Sequence, residues 1–240
     1  MAFFRGPNVV RDGLVFYLDA ANRKSFVNGS NTWRDLSGNN YNGTLTNGPT
    51  FSSTNSGTIL FDGTNDYVNI NADTTLKTLQ VPMTILCWAK PTTSKSYMAI
   101  FSQYSDVTNN KLIKLIRLDS NIFRCFSSKS DGTYQYFDMS INPVLNSWNF
   151  FSFIISGTLS SASVIMGLNG TFENKGAFAS ALSSTPDMTV PVYIGTIANN
   201  YVGMAEYFQG NIANTSIYNR ALSTSEVLQN YNATKTRFGL

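Results

Sequence analysis

The chain has 240 residues and a formal net charge of +3, and only 13% of its residues are charged. It contains no block of basic residues that could follow a phosphate backbone and no apolar stretch long enough to span a bilayer, so we expect neither nucleic acid nor a membrane as a partner. Its two cysteines, Cys87 and Cys125, are too few for a disulfide framework. Because Cys87 lies in an apolar run, we predict that it is a small buried hydrophobe.

Short runs with strand character, separated by turn signals, make up most of the chain. Residues 14–19 show the alternation of a half-buried strand. Residues 83–89 (MTILCWA) are apolar on both faces, which indicates a central strand covered on both sides. Pairs such as Asp62-Gly63, which tolerate the positive φ of a tight hairpin turn, lie between the runs. Many short strands joined in this way predict an all-β sandwich.

One helix is predicted, close to the C-terminus. Ser223 and Glu226 have the S-x-x-E spacing of a capping box, in which each side chain satisfies a free backbone N–H at the start of a helix. Val227, Leu228 and Tyr231 follow at helical spacing and form a small apolar stripe. A stripe of this size indicates packing against the core, not a binding face.

No linker-like segment divides the chain, and a sandwich of this length is routinely a single domain. Three regions are therefore predicted: an N-terminal extension at 1–11, one jelly-roll domain at 12–232 and a C-terminal tail at 233–240.

Several segments together resemble, in order, the laminin-G-like members of the concanavalin A-like superfamily. They are LVFYLDAAN at 14–22, WRDLSGNN at 33–40, FDGTNDYV at 61–68, TILCWAK at 84–90 and YNRALS at 218–223. The resemblance implies an all-β fold, a two-sheet antiparallel jelly-roll sandwich with one short C-terminal helix. Proteins with this fold more often bind sugars or build surfaces than catalyse reactions.

A narrower resemblance concerns the two ends of the chain. MAFFRGPN at 1–8 and the segment 218–240 are similar to laminin-G-like structural proteins of tailed bacteriophages, especially marine cyanophages. This implies a virion protein, made in the host cytoplasm, that decorates a capsid or tail in many copies or as a homo-oligomer and contacts other virion proteins. The expected function is a non-enzymatic virion structural role with added carbohydrate adhesion. The alternative is a free carbohydrate-binding, lectin-like module.

The residues needed for catalysis are scarce. The chain has no histidine, which removes histidine-based triads and the commonest general base. Its three glutamates, Glu173, Glu206 and Glu226, are far apart, whereas glycoside hydrolysis needs two carboxyl groups about 5 to 10 Å apart. Asp62 and Asp66 are better explained as a turn-forming pair. We therefore expect no enzyme, and a glycoside hydrolase is the least favoured alternative.

Calcium is the one ion for which the sequence offers ligands, and no other cofactor is expected. Asp35, Ser37 and Asn39 place side-chain oxygens at alternate positions of a turn, in the manner of calcium loops, and Asp62 could supply a further ligand. The alternative is that Asp35 caps the turn through backbone N–H groups.

Sugar binding needs exposed aromatic side chains close to polar groups. Five tyrosines in or beside loop-like segments are candidates for such a surface glycan site: Tyr97, Tyr104, Tyr134, Tyr136 and Tyr201. Because tyrosine is also enriched at protein interfaces, the same residues could instead contact neighbouring subunits.

Overall fold

The computed structural model describes residues 7–79, 81–103, 114–129, 133–182, 191–199 and 203–240. In chain order the strands are β1 (Leu14–Asp19), β2 (Thr32–Trp33), β3 (Gly43–Thr46), β4 (Thr50–Ser52), β5 (Thr58–Asp62), β6 (Tyr67–Ile70), β7 (Met83–Pro91), β8 (Met98–Gln103), β9 (Lys114–Asp119), β10 (Ile122–Ser128), β11 (Tyr134–Asp138), β12 (Asn149–Ser156), β13 (Ser163–Leu168), β14 (Thr171–Ala177), β15 (Val192–Ile194), β16 (Ile197–Asn199), β17 (Gly203–Ala205) and β18 (Gln209–Tyr218). Helices α1 (Thr74–Thr78) and α2 (Thr224–Thr234) and 3-10 turns at Thr54–Ser56 and Lys235–Phe238 accompany them.

In the part of the chain that the structure describes, two antiparallel sheets of eight strands each form the sandwich. Sheet 1 has the order β14-β13-β12-β7-β18-β5-β4, and β1 pairs with the second half of β18. Sheet 2 has the order β11-β10-β9-β8-β15-β6-β3-β2, and a separate hairpin is formed by β16 and β17. In both sheets, hairpin pairs alternate with pairs of strands that are distant in sequence, such as β7 with β18 and β8 with β15, as expected of a jelly roll. The predicted fold class is confirmed.

The core lies between the sheets, and β7 shows why its sequence is apolar throughout. Met83, Ile85 and Cys87 face the core, while Leu86 and Trp88 point to the other side of sheet 1, where further elements cover them. The prediction of a central strand covered on both sides is therefore confirmed. Sheet 2 contributes inward-facing residues in the same alternating pattern.

Both cysteines are free and buried. Burial raises the pKa of the Cys87 thiol to about 12, opposed by a hydrogen bond with Thr215, so the thiol stays protonated. Cys87 thus behaves as the small hydrophobe that the sequence predicted. Cys125 lies on sheet 2 in the same core.

Helix α2 covers the outer face of sheet 1, and the predicted capping box is present. The Ser223 hydroxyl accepts a hydrogen bond from the Glu226 backbone N–H at 3.2 Å, and the Glu226 carboxylate accepts one from the Ser223 N–H at 2.8 Å. Tyr231 of the helix stacks on Trp88 with ring centres 5.6 Å apart. The helix therefore begins where the sequence predicted, and it buries Val227 and packs Tyr231 on Trp88, whereas Leu228 of the predicted stripe is exposed.

The last residues of the chain pack on the same sheet. The Phe238 ring lies 4.3 Å from the Trp88 ring and 4.6 Å from the Trp148 ring, centre to centre. The Arg237 guanidinium forms an ion pair with Asp19 at 2.7 Å. This segment contacts its own domain, a docking that the sequence pattern did not indicate.

Helix α1 is a single turn that the sequence did not predict. Its N-cap is Asp73, whose carboxylate accepts hydrogen bonds from the N–H groups of Thr75 and Leu76 at 2.8 and 3.2 Å. Five residues are too few to show helical periodicity. In the described parts of the chain, neither α1 nor α2 is long and apolar enough to cross a membrane.

Candidate functional site

The loop between β2 and β3 is built around the carboxylate of Asp35. Its Oδ1 atom accepts hydrogen bonds from the backbone N–H groups of Tyr17 and Ser37, both at 2.9 Å. Its Oδ2 atom accepts from the Ser37 hydroxyl at 2.7 Å and from the Tyr41 N–H at 3.2 Å. Asn39 lies in the same loop and donates through Nδ2 to the Val15 carbonyl at 2.8 Å. The structure therefore brings Asp35, Ser37 and Asn39 together, and both Asp35 oxygens cap backbone N–H groups.

Asp62 belongs to a different turn, between β5 and β6. Its Oδ1 atom accepts hydrogen bonds from the N–H groups of Thr64 and Asn65 at 2.7 and 3.2 Å, and these donors, Thr64 first, lower the pKa of the carboxyl. Asp66 is buried, which raises the pKa of its carboxyl, and it accepts a hydrogen bond from the Asp62 N–H at 3.0 Å. These contacts are those of the turn-forming pair that the sequence favoured.

Within the described residues, no group of three or more histidine, cysteine, aspartate or glutamate side chains is arranged to hold a metal ion. The Asp35 loop could bind calcium only through a set that mixes carboxylate with hydroxyl, amide and carbonyl oxygens. Calcium at Asp35, Ser37, Asn39 and Asp62 stays a prediction.

Two of the predicted tyrosines lie side by side on the outer face of sheet 2. Tyr134 and Tyr136 occupy alternate positions of β11, so both point away from the core, and they are 50% and 51% exposed. Phe126 of β10 lies between them, with ring centres 5.7 Å from Tyr134 and 5.8 Å from Tyr136. We call Phe126, Tyr134, Tyr136 and the adjacent Arg124 the aromatic platform.

Arg124 is held rigidly at one end of this platform. Its guanidinium lies over the Tyr136 ring, 4.3 Å from the ring centre. It forms two hydrogen bonds with Asp138, at 2.5 and 2.7 Å, and one with Asp119 at 2.6 Å. Hydrogen bonding to Asp138 is the main reason that the pKa of Arg124 is raised. The platform therefore combines flat apolar surface with a fixed cationic hydrogen-bond donor.

Residues of the β16–β17 hairpin pack against the platform. Ile197 of β16 and Ala99 of β8 form a small apolar cluster with Phe126, and Ala205 of β17 packs against it. The hairpin therefore stands on the same outer face of sheet 2 and supports the buried side of the platform.

The other predicted tyrosines are not part of the platform as described. Tyr97 precedes β8 near the β9–β10 turn, where Ser96 and Ser120 are hydrogen-bonded, whereas Tyr134 begins β11 at the opposite end of that sheet. Tyr104 and Tyr201 lie outside the described residues.

Sequence reasoning did not single out Phe126 or Arg124 as site residues. Their position follows from the register in which Phe126 faces Tyr136 and Arg124 faces Asp138 across the β10–β11 pair. The sequence did contain one signal for this arrangement. In β10, Arg124 and Phe126 alternate with buried residues, which places both side chains on the same face of the strand.

Comparisons with known proteins bear on the whole fold. A family described as the concanavalin A-like lectin/glucanases superfamily matches residues 62–228. The binding domain of Paraclostridial Mosquitocidal Protein 1 superposes with a TM-score of 0.66 at 18% identity, over 93% of this chain and 52% of that one. The binding domain of botulinum neurotoxin DC, in complex with SialylT, gives a TM-score of 0.65 at 15% identity, over 93% and 52%.

The receptor-binding domain of botulinum neurotoxin type G gives a TM-score of 0.60 at 14% identity, over 92% of this chain and 51% of that one. The chain thus spans about half the length of these solved structures, and identities this low show a shared fold alone. No curated protein sequence matches the chain at a significant level.

Proposed function

We propose that this chain, which belongs to the concanavalin A-like lectin/glucanases superfamily, binds carbohydrate through its aromatic platform. One observation carries the proposal: two neighbouring tyrosines, each about half exposed, lie on one sheet face beside a rigidly held arginine. Apolar rings in this arrangement offer flat surface against which the C–H face of a pyranose can pack. The phenol hydroxyls and the guanidinium supply polar partners for sugar hydroxyl groups.

The rigidity of the platform favours binding. Phe126 and Arg124 hold the two tyrosine rings from below and from one side. A site that is ordered before the ligand arrives loses less side-chain entropy on binding, so more of the contact energy appears as affinity.

The structural neighbours support this proposal. One of them is a toxin binding domain whose structure contains SialylT, and others are named as receptor-binding domains. Because this chain matches only about half of each, the binding properties that these names state are carried over here only as part of the proposal.

We also propose that binding is not accompanied by catalysis. Glu226 is used for helix capping and pairs with Arg220, and Glu173 forms an ion pair with Lys175 and accepts hydrogen bonds from Ser140. Two of the three glutamates thus have structural partners in separate regions. This supports the expectation from sequence that no acid–base pair for glycoside hydrolysis is assembled.

A glycan array of neutral and sialylated oligosaccharides tests the proposal. We expect retention of at least one class, and a loss on the order of tenfold in affinity for Tyr134→Ala and for Tyr136→Ala, because each removes a ring of the platform. Tyr136→Phe keeps the ring and should keep most of the affinity. Tyr97→Ala is the matched control, since it removes an exposed tyrosine elsewhere. The proposal fails if no glycan is retained, or if Tyr97→Ala is as damaging as the platform variants.

The setting that we propose for this activity is the surface of a phage particle, which the resemblance of the chain ends implies. In that setting the protein decorates a capsid or tail and contributes adhesion. Mass spectrometry of purified virions should detect it at a regular copy number relative to the major capsid protein. Absence from virions would leave a free lectin-like module.

A further inference from the structure

A pocket of about 670 Å³ opens at one end of the sandwich, beside helix α1. Its walls come from one strand and several connections: Val15 of β1, the loop before β3, helix α1 with the residues after it, Leu159 between β12 and β13, and Asn219 after β18. The volume is within the range of sites that bind small molecules. Among the described lining residues, none belongs to the aromatic platform.

The inner part of this pocket is apolar. Leu76 of α1 is buried at its base, and Val15, Leu79, Val81 and Leu159 are partly buried and pack against the main core. The pocket is therefore an opening in the edge of the core, where apolar surface is left accessible. Covering that surface with an aliphatic ligand would be favourable because it removes apolar surface from water, the same effect that stabilises the core.

The outer part is polar but uncharged. Asn39 and Asn219 are exposed among its lining residues. Asn39 Nδ2 donates to the Val15 carbonyl, which leaves its Oδ1 atom as an acceptor. The Tyr41 hydroxyl is hydrogen-bonded to Asp73, and Asp73 in turn caps α1. No described lining residue carries a charge.

We infer that this pocket binds a neutral amphipathic small molecule, with an aliphatic body against the leucine and valine side chains and a hydroxyl or amide head at the two asparagines. An ionic head group would lose its hydration without gaining an opposite charge from the lining, so ions should bind more weakly. The inference does not depend on glycan binding by the platform.

Calorimetric titration with three probes of equal chain length tests the inference. Octan-1-ol should bind to the whole protein, and octanoate and octylammonium should bind on the order of tenfold more weakly. Equal affinity for all three probes would show that only their alkyl chains are buried, without recognition of the head group, and would overturn the inference. Preference for octylammonium would also overturn it, because Asp73 would then be the dominant partner.

Two variants locate the site. Leu159→Trp fills the pocket and should abolish octan-1-ol binding, whereas Val144→Trp, at an exposed valine outside the lining, should not. Asn219→Asp adds a charge at the mouth without changing the interior, so it stays informative if Leu159→Trp fails to fold; it should weaken octan-1-ol and strengthen octylammonium. Tyr136→Ala should leave octan-1-ol binding unchanged. Binding that is unaffected by both Leu159→Trp and Asn219→Asp would place the ligand elsewhere and refute the inference.

Discussion

Asp35 accepts an unusually large number of hydrogen bonds for a partly buried loop residue. Its two oxygens receive three backbone N–H groups and one hydroxyl, from Tyr17, Ser37 and Tyr41. The N–H of Tyr17 belongs to β1 of sheet 1, whereas Tyr41 leads into β3 of sheet 2. One carboxylate thus ties the two sheets together at this edge, beside the neutral pocket.

Replacing this carboxylate should destabilise the protein. In Asp35→Ala the donors lose their acceptor in a partly buried loop, and we expect the free energy of unfolding to fall by about 2 to 4 kcal/mol. Asp12→Ala is the control, because its pair with Arg220 is exposed and should contribute less than about 1 kcal/mol. Urea denaturation of the three proteins provides the measurement. If the free energy of unfolding falls no more in Asp35→Ala than in Asp12→Ala, the role assigned to Asp35 is contradicted.

The same variants test calcium at this loop. If Asp35, Ser37 and Asn39 bind the ion, millimolar calcium should raise the Tm of the wild type and leave Asp35→Ala unchanged, because a ligand that binds only the folded state stabilises it. An unchanged Tm and the absence of binding heat would leave Asp35 with its structural role alone.

At the scale of single elements, helix α2 depends on its first turn. Glu226 completes the capping box with Ser223 and pairs with Arg220 at 2.5 Å. The Arg220 hydrogen bond, followed by the Ser223 N–H, lowers the pKa of Glu226 from 4.5 to about 2. Arg220 in turn reaches Asp12, so this turn connects the helix to the segment that precedes β1.

This lowered pKa gives the helix a pH-dependent contribution to stability. A carboxyl group whose pKa is lower in the folded protein stabilises it above the unfolded pKa, and the contribution is lost as the pH falls towards the folded value. Glu226→Gln should therefore be about 1 kcal/mol less stable than the wild type near neutral pH, and the difference should shrink between pH 4.5 and about 2. Ser223→Ala keeps the carboxylate and should retain most of the pH dependence. Urea midpoints measured across this pH range provide the test. A difference between Glu226→Gln and the wild type that does not change with pH would contradict the prediction.

At the scale of the whole molecule, the described residues near both chain ends pack on one face of sheet 1. The Val10 N–H donates to Asn230 of α2 at 2.8 Å, and the Tyr218 hydroxyl donates to the Val10 carbonyl at 3.0 Å. At the other end, Phe238 fills the space between Trp88 and Trp148. The C-terminal segment is therefore part of the folded domain.

Removing the Phe238 ring should consequently weaken the fold itself. Phe238→Ala deletes a buried ring that contacts two tryptophans, and we expect a loss of about 3 to 5 kcal/mol in the free energy of unfolding. Leu240→Ala, at an exposed position two residues later, should change it by less than about 0.5 kcal/mol. Thermal unfolding followed by tryptophan fluorescence reports on both. If Phe238→Ala unfolds like the wild type, the C-terminal segment does not contribute to the domain.

The sequence by itself determined the features that depend on near neighbours. Alternation over a few residues identified β1 at 14–19, the apolar run at 83–89 identified β7, and the spacing of Ser223 and Glu226 identified the start of α2. Each of these patterns involves only the residues of a single strand or of the first turns of a helix. The information needed to recognise it therefore lies within a short stretch of sequence. The order of several such segments was sufficient to indicate the superfamily.

Only the tertiary structure decided which distant residues meet. Tyr136 faces Phe126 because of the register between β10 and β11, and Phe238 meets Trp88 after a chain separation of 150 residues. The pocket at α1 likewise arises where β1 of sheet 1 and several connections distant in sequence leave apolar surface uncovered. Strand order and register depend on the packing of the whole core, and no local pattern in the sequence specifies them.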